Sequence, residues 1–183
     1  MVRLKEKYKN EVIPKMKEIF GYKNDLAVPK IEKVVLNVGA GKGVSNPSFF
    51  EEAAANLAKI TGQQPVKTFA KKSIAGFKIR KGMPVGLKVT LRGDRMYEFL
   101  DKLINVTLAR IRDFRGLDPK GFDGKGNYSI GIAEHIAFPE IQFESAEKIH
   151  GLQVNITTTA KDDKEGYMLL KLLGFPFKEE KNA

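Results

Sequence analysis

The chain has 183 residues, 42% of them hydrophobic and 30% charged, with a formal net charge of +10 and no cysteine. That composition supports a folded domain with a real core and excludes global disorder, disulfides and thiolate chemistry. A pI near 9.6 points to a polyanionic partner, and the lack of a signal-type start or a membrane-length apolar run makes a soluble cytoplasmic protein the expectation.

Residues 4–20 read as an amphipathic helix, with Leu4, Tyr8, Val12, Met16 and Phe20 on one stripe. Pro14 should kink or split it, and Gly21 should end it. Residues 31–38 form a first strand: from Val34 onward one set of alternate side chains is apolar, which leaves Lys33 and Asn37 pointing outward. The glycine-rich turn 39–43 is not a P-loop, which would need Gly in place of Leu36 and Ser or Thr in place of Gly43. A helix over 47–60 follows, with Phe50, Ala53, Ala54, Leu57 and Ile60 as its apolar stripe and Gly62 as its stop. Residues 65–69 read as a short second strand.

The next stretch holds most of the charge. Residues 70–84 show no apolar repeat; Lys71, Lys72, Lys78, Arg80 and Lys81 are scattered among Gly76, Gly82 and Pro84. From Val85 the pattern becomes strict alternation, with Val85, Leu87, Val89 and Leu91 opposed to Gly86, Lys88, Thr90 and Arg92. No acid lies between Glu52 and Asp94, while nine bases do, so this segment carries +9 of the chain's +10. A field concentrated like that suits a polyanion. The loop lacks an apolar stripe to offset its ordering entropy, about 1–2 kcal/mol per residue. It is therefore expected to be mobile until it meets RNA.

Asp94 is expected to cap a helix reaching about residue 111, with Met96, Phe99, Leu100, Leu103, Thr107 and Ile111 at helical spacing. Residues 110–127 form a long glycine-broken loop, of a length usually kept for function. Residues 128–132 make a strand, 138–143 are ambiguous, and 152–160 make the last strand. There Leu152, Val154, Ile156 and Thr158 oppose Gln153, Asn155, Thr157 and Thr159. Asp162 or Asp163 should cap a final helix that packs Tyr167, Leu169, Leu170, Leu172 and Leu173 inward before Gly174.

Three strands thus share one apolar and one polar face. The expected architecture is α+β, one domain over 1–183, with helices on one face of the sheet and the polar face open to RNA sugars, phosphates and base edges. Lys33, Lys67, Lys88 and Arg92 are candidates for neutralising phosphates. His135 and His150 have no ligand neighbour at metal spacing, and the aspartates of 113–123 miss the EF-hand pattern. No clustered acid–base pair or nucleophile is found, so no cofactor, metal or catalysis is expected. Membrane-surface binding would need a basic amphipathic helix, whereas these bases lie mainly on loop and strand.

The motifs KSIAGFKIRKGMPVGLKVTLRGDRMYEFLDKLI, RIRDFRGLDPKGFDGKGNYSIGI, FPEI and TTTAKDDKEGYMLLKLLGFPF resemble the bacterial form of ribosomal protein five of the large subunit, in order and over nearly the whole chain. Only the tail after Phe177 and the turn at 40–49 look idiosyncratic. The resemblance implies an antiparallel sheet and a ribosome-bound structural role, with 5S ribosomal RNA, 23S ribosomal RNA and neighbouring large-subunit proteins as partners. On matching positions it implies 5S contacts at Asn37, Gln63 and Thr90. A loop carrying Lys71, Lys72, Ser73, Phe77, Lys78, Arg80 and Lys81 would face the peptidyl-site tRNA. A bridge to a protein of the small-subunit head would use Arg110, Arg112, Arg115, Glu134 and Glu144. The alternative from another class is a free-standing RNA chaperone or RNA-processing accessory protein.

Overall fold

The computed structural model describes residues 2–39, 41, 47–141 and 149–178. Its strands are β1 (Ile31–Gly39), β2 (Val66–Phe69), β3 (Pro84–Leu91), β4 (Tyr128–Ile132) and β5 (Leu152–Thr158). They form one antiparallel sheet in the order β2-β3-β1-β5-β4. The helices are α1 (Arg3–Lys7), α2 (Ile13–Phe20), α3 (Pro47–Thr61), α4 (Gly93–Lys102), α5 (Leu108–Arg110) and α6 (Asp163–Leu173). The fold is α+β, and no described helix is long and apolar enough to cross a membrane.

Alternation governs the strands. Val34, Leu36 and Val38 of β1, Leu87, Val89 and Leu91 of β3, and Leu152, Val154 and Ile156 of β5 are buried. Their polar neighbours Lys33, Asn37, Thr90, Asn155 and Thr157 are half-buried and Lys88 is exposed. Ile31 departs from the pattern: it belongs to the outward set and is nevertheless buried.

Contacts group the chain into two compact units, one of residues 1–34, 91–130 and 155–183, the other of 35–90 and 131–154. In the first, Leu4, Tyr8, Val12 and Met16 are buried along the expected stripe, and Gly21 closes α2 in the left-handed region at φ 71°. The irregularity expected at Pro14 falls one turn earlier. The helix widens into a π turn over Tyr8–Val12, which leaves Pro14 in the first turn of α2, where its missing N–H leaves no partner unsatisfied. A second π turn, Leu103–Thr107, separates α4 from α5.

Of the two expected helix caps, one is displaced and one keeps its position without its side-chain bond. Arg92 occupies the N-cap of α4 with extended backbone, and Asp94 sits in the first turn, where its carboxylate accepts from Lys5 Nζ at 2.5 Å. That bond holds the Asp94 carboxyl below its ordinary range. At α6, Asp162 is the N-cap residue but makes no side-chain cap bond; Glu165 Oε2 accepts the Lys161 amide instead, at 2.9 Å.

In the second unit, Phe50, Ala53, Leu57 and Ile60 bury one side of α3, and Gly62 ends it at φ 64°. β2 pairs with β3 through Val66↔Lys88, Lys67↔Leu87 and Thr68↔Gly86. Gly86 is required by this pairing: a Cβ there would lie 2.9 Å from both Thr68 Oγ1 and the Val38 carbonyl oxygen.

Candidate nucleic-acid interface

Three polar groups of the second unit come from strands adjacent in the sheet: Asn37 on β1, Lys88 and Thr90 on β3. None of their side chains is hydrogen-bonded or ion-paired within the described residues. Gln63 joins them from the turn after α3. Its Nε2 donates to the Thr90 carbonyl at 3.3 Å, and its own amide donates to Thr61 Oγ1, also at 3.3 Å. The helix terminus therefore positions Gln63 against β3, a link that residue alternation does not reveal.

Lys67 is placed differently. Its register partner is Leu87, a fully buried core residue, so Lys67 projects from the apolar side of the sheet, opposite to Lys88. It is nonetheless exposed, because β2 is the edge strand. In the first unit, Lys33 is half-buried and Arg92 exposed, and Arg92 Nη1 lies 3.6 Å from Glu32 Oε1.

Residues 70–83, read from the sequence as a basic loop without an apolar repeat, carry regular backbone pairing. Ile74 and Ile79 exchange backbone hydrogen bonds at 2.9 and 3.1 Å, and Ala70 donates to Met83 O at 2.9 Å. Gly82 donates back to Ala70 O at 3.0 Å, and Lys81 N to Ser73 Oγ at 3.0 Å. The result is a small hairpin with a 3₁₀ tip over Ala75–Phe77 and Lys78 in the left-handed region at φ 55°. Counting apolar anchors overlooks backbone bonding, which is the organising force here. The hairpin's side chains stay outside: Lys71, Lys72, Ser73, Phe77, Lys78, Arg80 and Lys81 are all exposed, Phe77 at 71%. None of the five cations has an ion-pair partner among the described residues.

Arg110, Arg112 and Arg115 are exposed in the first unit; Glu134 is exposed in the second, just before a 3₁₀ turn over His135–Ala137. Glu144 lies outside the described residues, as does most of the 39–43 turn. The loop 111–127 is tied down. Leu117 N donates to Pro176 O at 2.7 Å and Lys178 N to Leu117 O at 2.9 Å, so the C-terminal stretch runs beside it. Tyr128 OH donates to Asp118 O at 2.8 Å, and burial pushes that phenol up to about 12.

The two histidines are stacked, ring centroids 4.0 Å apart and almost parallel, with Asn56 Nδ2 3.4 Å from His135 Nε2. Both are buried, and no cluster of metal-binding type occurs among the described residues. This polar core, and the contact of Phe122, Tyr128, Tyr167 and Phe177, went unread in the sequence because their members lie far apart along the chain.

Family models match most of the chain: Ribosomal protein L5 over residues 24–80, and the C-terminus of the same ribosomal family over 84–177. The large ribosomal subunit protein uL5 of Carboxydothermus hydrogenoformans is 57% identical over 97% of this chain and 99% of its own length. That of Thermoanaerobacter sp. is 58% identical over 97% and 99%. That of Desulfotalea psychrophila is 56% identical over 98% and 100%. Together with the α+β fold, these likenesses put the chain among the structural, non-catalytic proteins of the large ribosomal subunit, associated with ribosomal RNA and other ribosomal proteins. Within that class it belongs to the ribosomal protein L5 family.

Proposed function

We propose that this chain binds 5S ribosomal RNA through the polar side of β1 and β3, with Asn37, Gln63 and Thr90 as hydrogen-bonding contacts and Lys33, Lys88 and Arg92 opposite phosphates. The observation that carries this reading is the unused bonding capacity of Asn37, Lys88 and Thr90 on adjacent strands. Polar side chains that satisfy nothing in their own fold, two of them (Lys88 and Thr90) within the segment free of acids, are suited to an external polyanion. The 70–83 hairpin is assigned to the peptidyl-site tRNA, since its cations are exposed and without ion-pair partners among the described residues on a hydrogen-bonded stem. Arg110, Arg112, Arg115, Glu134 and Glu144 are assigned to the bridge with the small-subunit head. Lys67, on the other side of the sheet from Lys88, supports this reading least.

Binding to isolated 5S RNA tests it. Asn37→Ala or Thr90→Ala should weaken affinity by about 1–3 kcal/mol, the cost of a lost polar contact to RNA, with the melting temperature barely moved. Log affinity should fall with log salt by roughly 0.7–0.9 per phosphate contact. Lost stability with unchanged RNA affinity, or a flat salt dependence, would overturn the assignment.

A further inference from the structure

A cleft of about 760 Å³ opens in the first unit where residues 119–122, helix α6 and residues 175–178 meet. That volume lies within the range of roughly 300–1,000 Å³ typical of small-ligand clefts. Three half-buried rings line it: Phe177 lies 4.7 Å from Tyr167 and 6.1 Å from Phe122, centroid to centroid. Its walls are fixed by the backbone bonds between Leu117 and residues 176 and 178. Gly116 permits that approach, since a Cβ there would stand 2.8 Å from Lys178 N.

The rim is basic. Lys164, Lys171 and Lys178 are exposed, Lys171 Nζ stands 5.7 Å from the Tyr167 ring centroid, and none of the three has a carboxylate partner among the described residues. The one acid in the lining, Asp163, already accepts the amides of Gly126 and Gly124 at 2.9 and 3.1 Å. Aromatic rings bordered by cations that lack a carboxylate partner match a nucleobase with flanking phosphates: stacking tolerates any base, and lysines neutralise the backbone. Three separate lysines exceed what one monophosphate needs and fit the successive phosphates of a strand.

We propose that this cleft holds one unpaired nucleotide of an RNA strand, its base against the rings of Phe122, Tyr167 and Phe177 and the adjoining phosphates at Lys164, Lys171 and Lys178. The site shares no residue with the polar strands assigned to 5S RNA and stands independently of that assignment.

The test is a titration of the full-length protein with hexauridylate and, separately, with uridine monophosphate, followed by the ring resonances of Phe122, Tyr167 and Phe177. The hexamer should shift all three, and the mononucleotide should bind at least about tenfold more weakly, because it offers a single phosphate. Replacing Lys164, Lys171 and Lys178 together by glutamine should cost about tenfold in ring-monitored affinity while 5S RNA binding, measured on the same sample, is retained. Tyr167→Leu, which keeps bulk but removes the stacking surface, should abolish the shifts at Phe122 and Phe177. Silent rings, or affinity indifferent to the lysines, would overturn the proposal. So would equal affinity for the mononucleotide, or equal shifts from an acidic peptide, which would mark a small-molecule or protein site.

Discussion

Residues 70–83 and residues 111–127 are both glycine-rich, charged connections, yet they are held in opposite ways. The first is a hairpin closed by backbone hydrogen bonds, with its cations and Phe77 exposed. The second is pinned largely by side chains: Phe122 packs on Tyr128 at 4.6 Å, and Asp163 accepts two of the loop's amides. In addition, Asp123 accepts from Asn127 Nδ2 at 2.8 Å and from the Lys125 and Asn127 amides. The hairpin leaves all five of its cations outside its own fold, whereas in 111–127 Asp123 is engaged in holding the loop while Arg112 and Arg115 stay exposed. The aspartates that the first segment lacks and the second carries make this difference: Asp123 accepts amides within its own loop, and the hairpin has no such acceptor for its cations.

Glycines give the sharpest contrast. A Cβ on Gly166 of α6 would lie 2.6 Å from the Gly126 carbonyl oxygen, whereas one on Gly76 at the hairpin tip would meet nothing within 4 Å. Gly166→Ala should therefore cost about 2–3 kcal/mol, the scale of an overpacked contact. By calorimetry the midpoint should fall by about 4–10 °C. Gly76→Ala should leave it unchanged or slightly raised. Equal losses at the two positions would erase the distinction.

Charge gives the next. Replacing Lys78, Arg80 and Lys81 by glutamine should leave stability and most 5S affinity intact, and should weaken tRNA retention in the peptidyl site of assembled ribosomes about tenfold, or ~1.4 kcal/mol. Abolished 5S binding with normal tRNA retention would move the hairpin onto 5S RNA.

The smallest effect concerns pH. The Asn127 side-chain bond, helped by the Lys125 and Asn127 amides, holds the Asp123 carboxyl below its ordinary value. A depressed carboxylate contributes stability above its unfolded value, about 3.9, and loses it as pH falls through the folded one. Asp123→Asn should thus lower the midpoint by about 1–3 °C at pH 7, the scale of an exposed charged contact. The gap should begin to shrink near pH 4 and close only as pH falls through the lower, folded value. A gap that persists in acid would mean the side chain acts through shape alone.

Where periodicity governs, the sequence was readable: the burial of Val34, Leu36 and Val38, of Leu87, Val89 and Leu91, and of Leu152, Val154 and Ile156 follows alternation. The family resemblance agrees with the comparisons over nearly the full chain. What was hidden depends on pairing between distant residues. Lys67 looked equivalent to Lys88 until its register opposite Leu87 put it on the other side of the sheet. Asp94 looked like a cap until Lys5 claimed its carboxylate. The stacked His135 and His150 looked like isolated histidines, fifteen residues apart. The hairpin's order rests on main-chain bonds, which composition does not encode.

Lysine acetylation footprinting of the free protein against its complex with 5S RNA tests the account most directly. The account predicts that Lys33 and Lys88 lose reactivity on binding while Lys71, Lys72, Lys78 and Lys81 of the hairpin keep theirs. Protection confined to the hairpin lysines, with Lys33 and Lys88 still reactive, would contradict it.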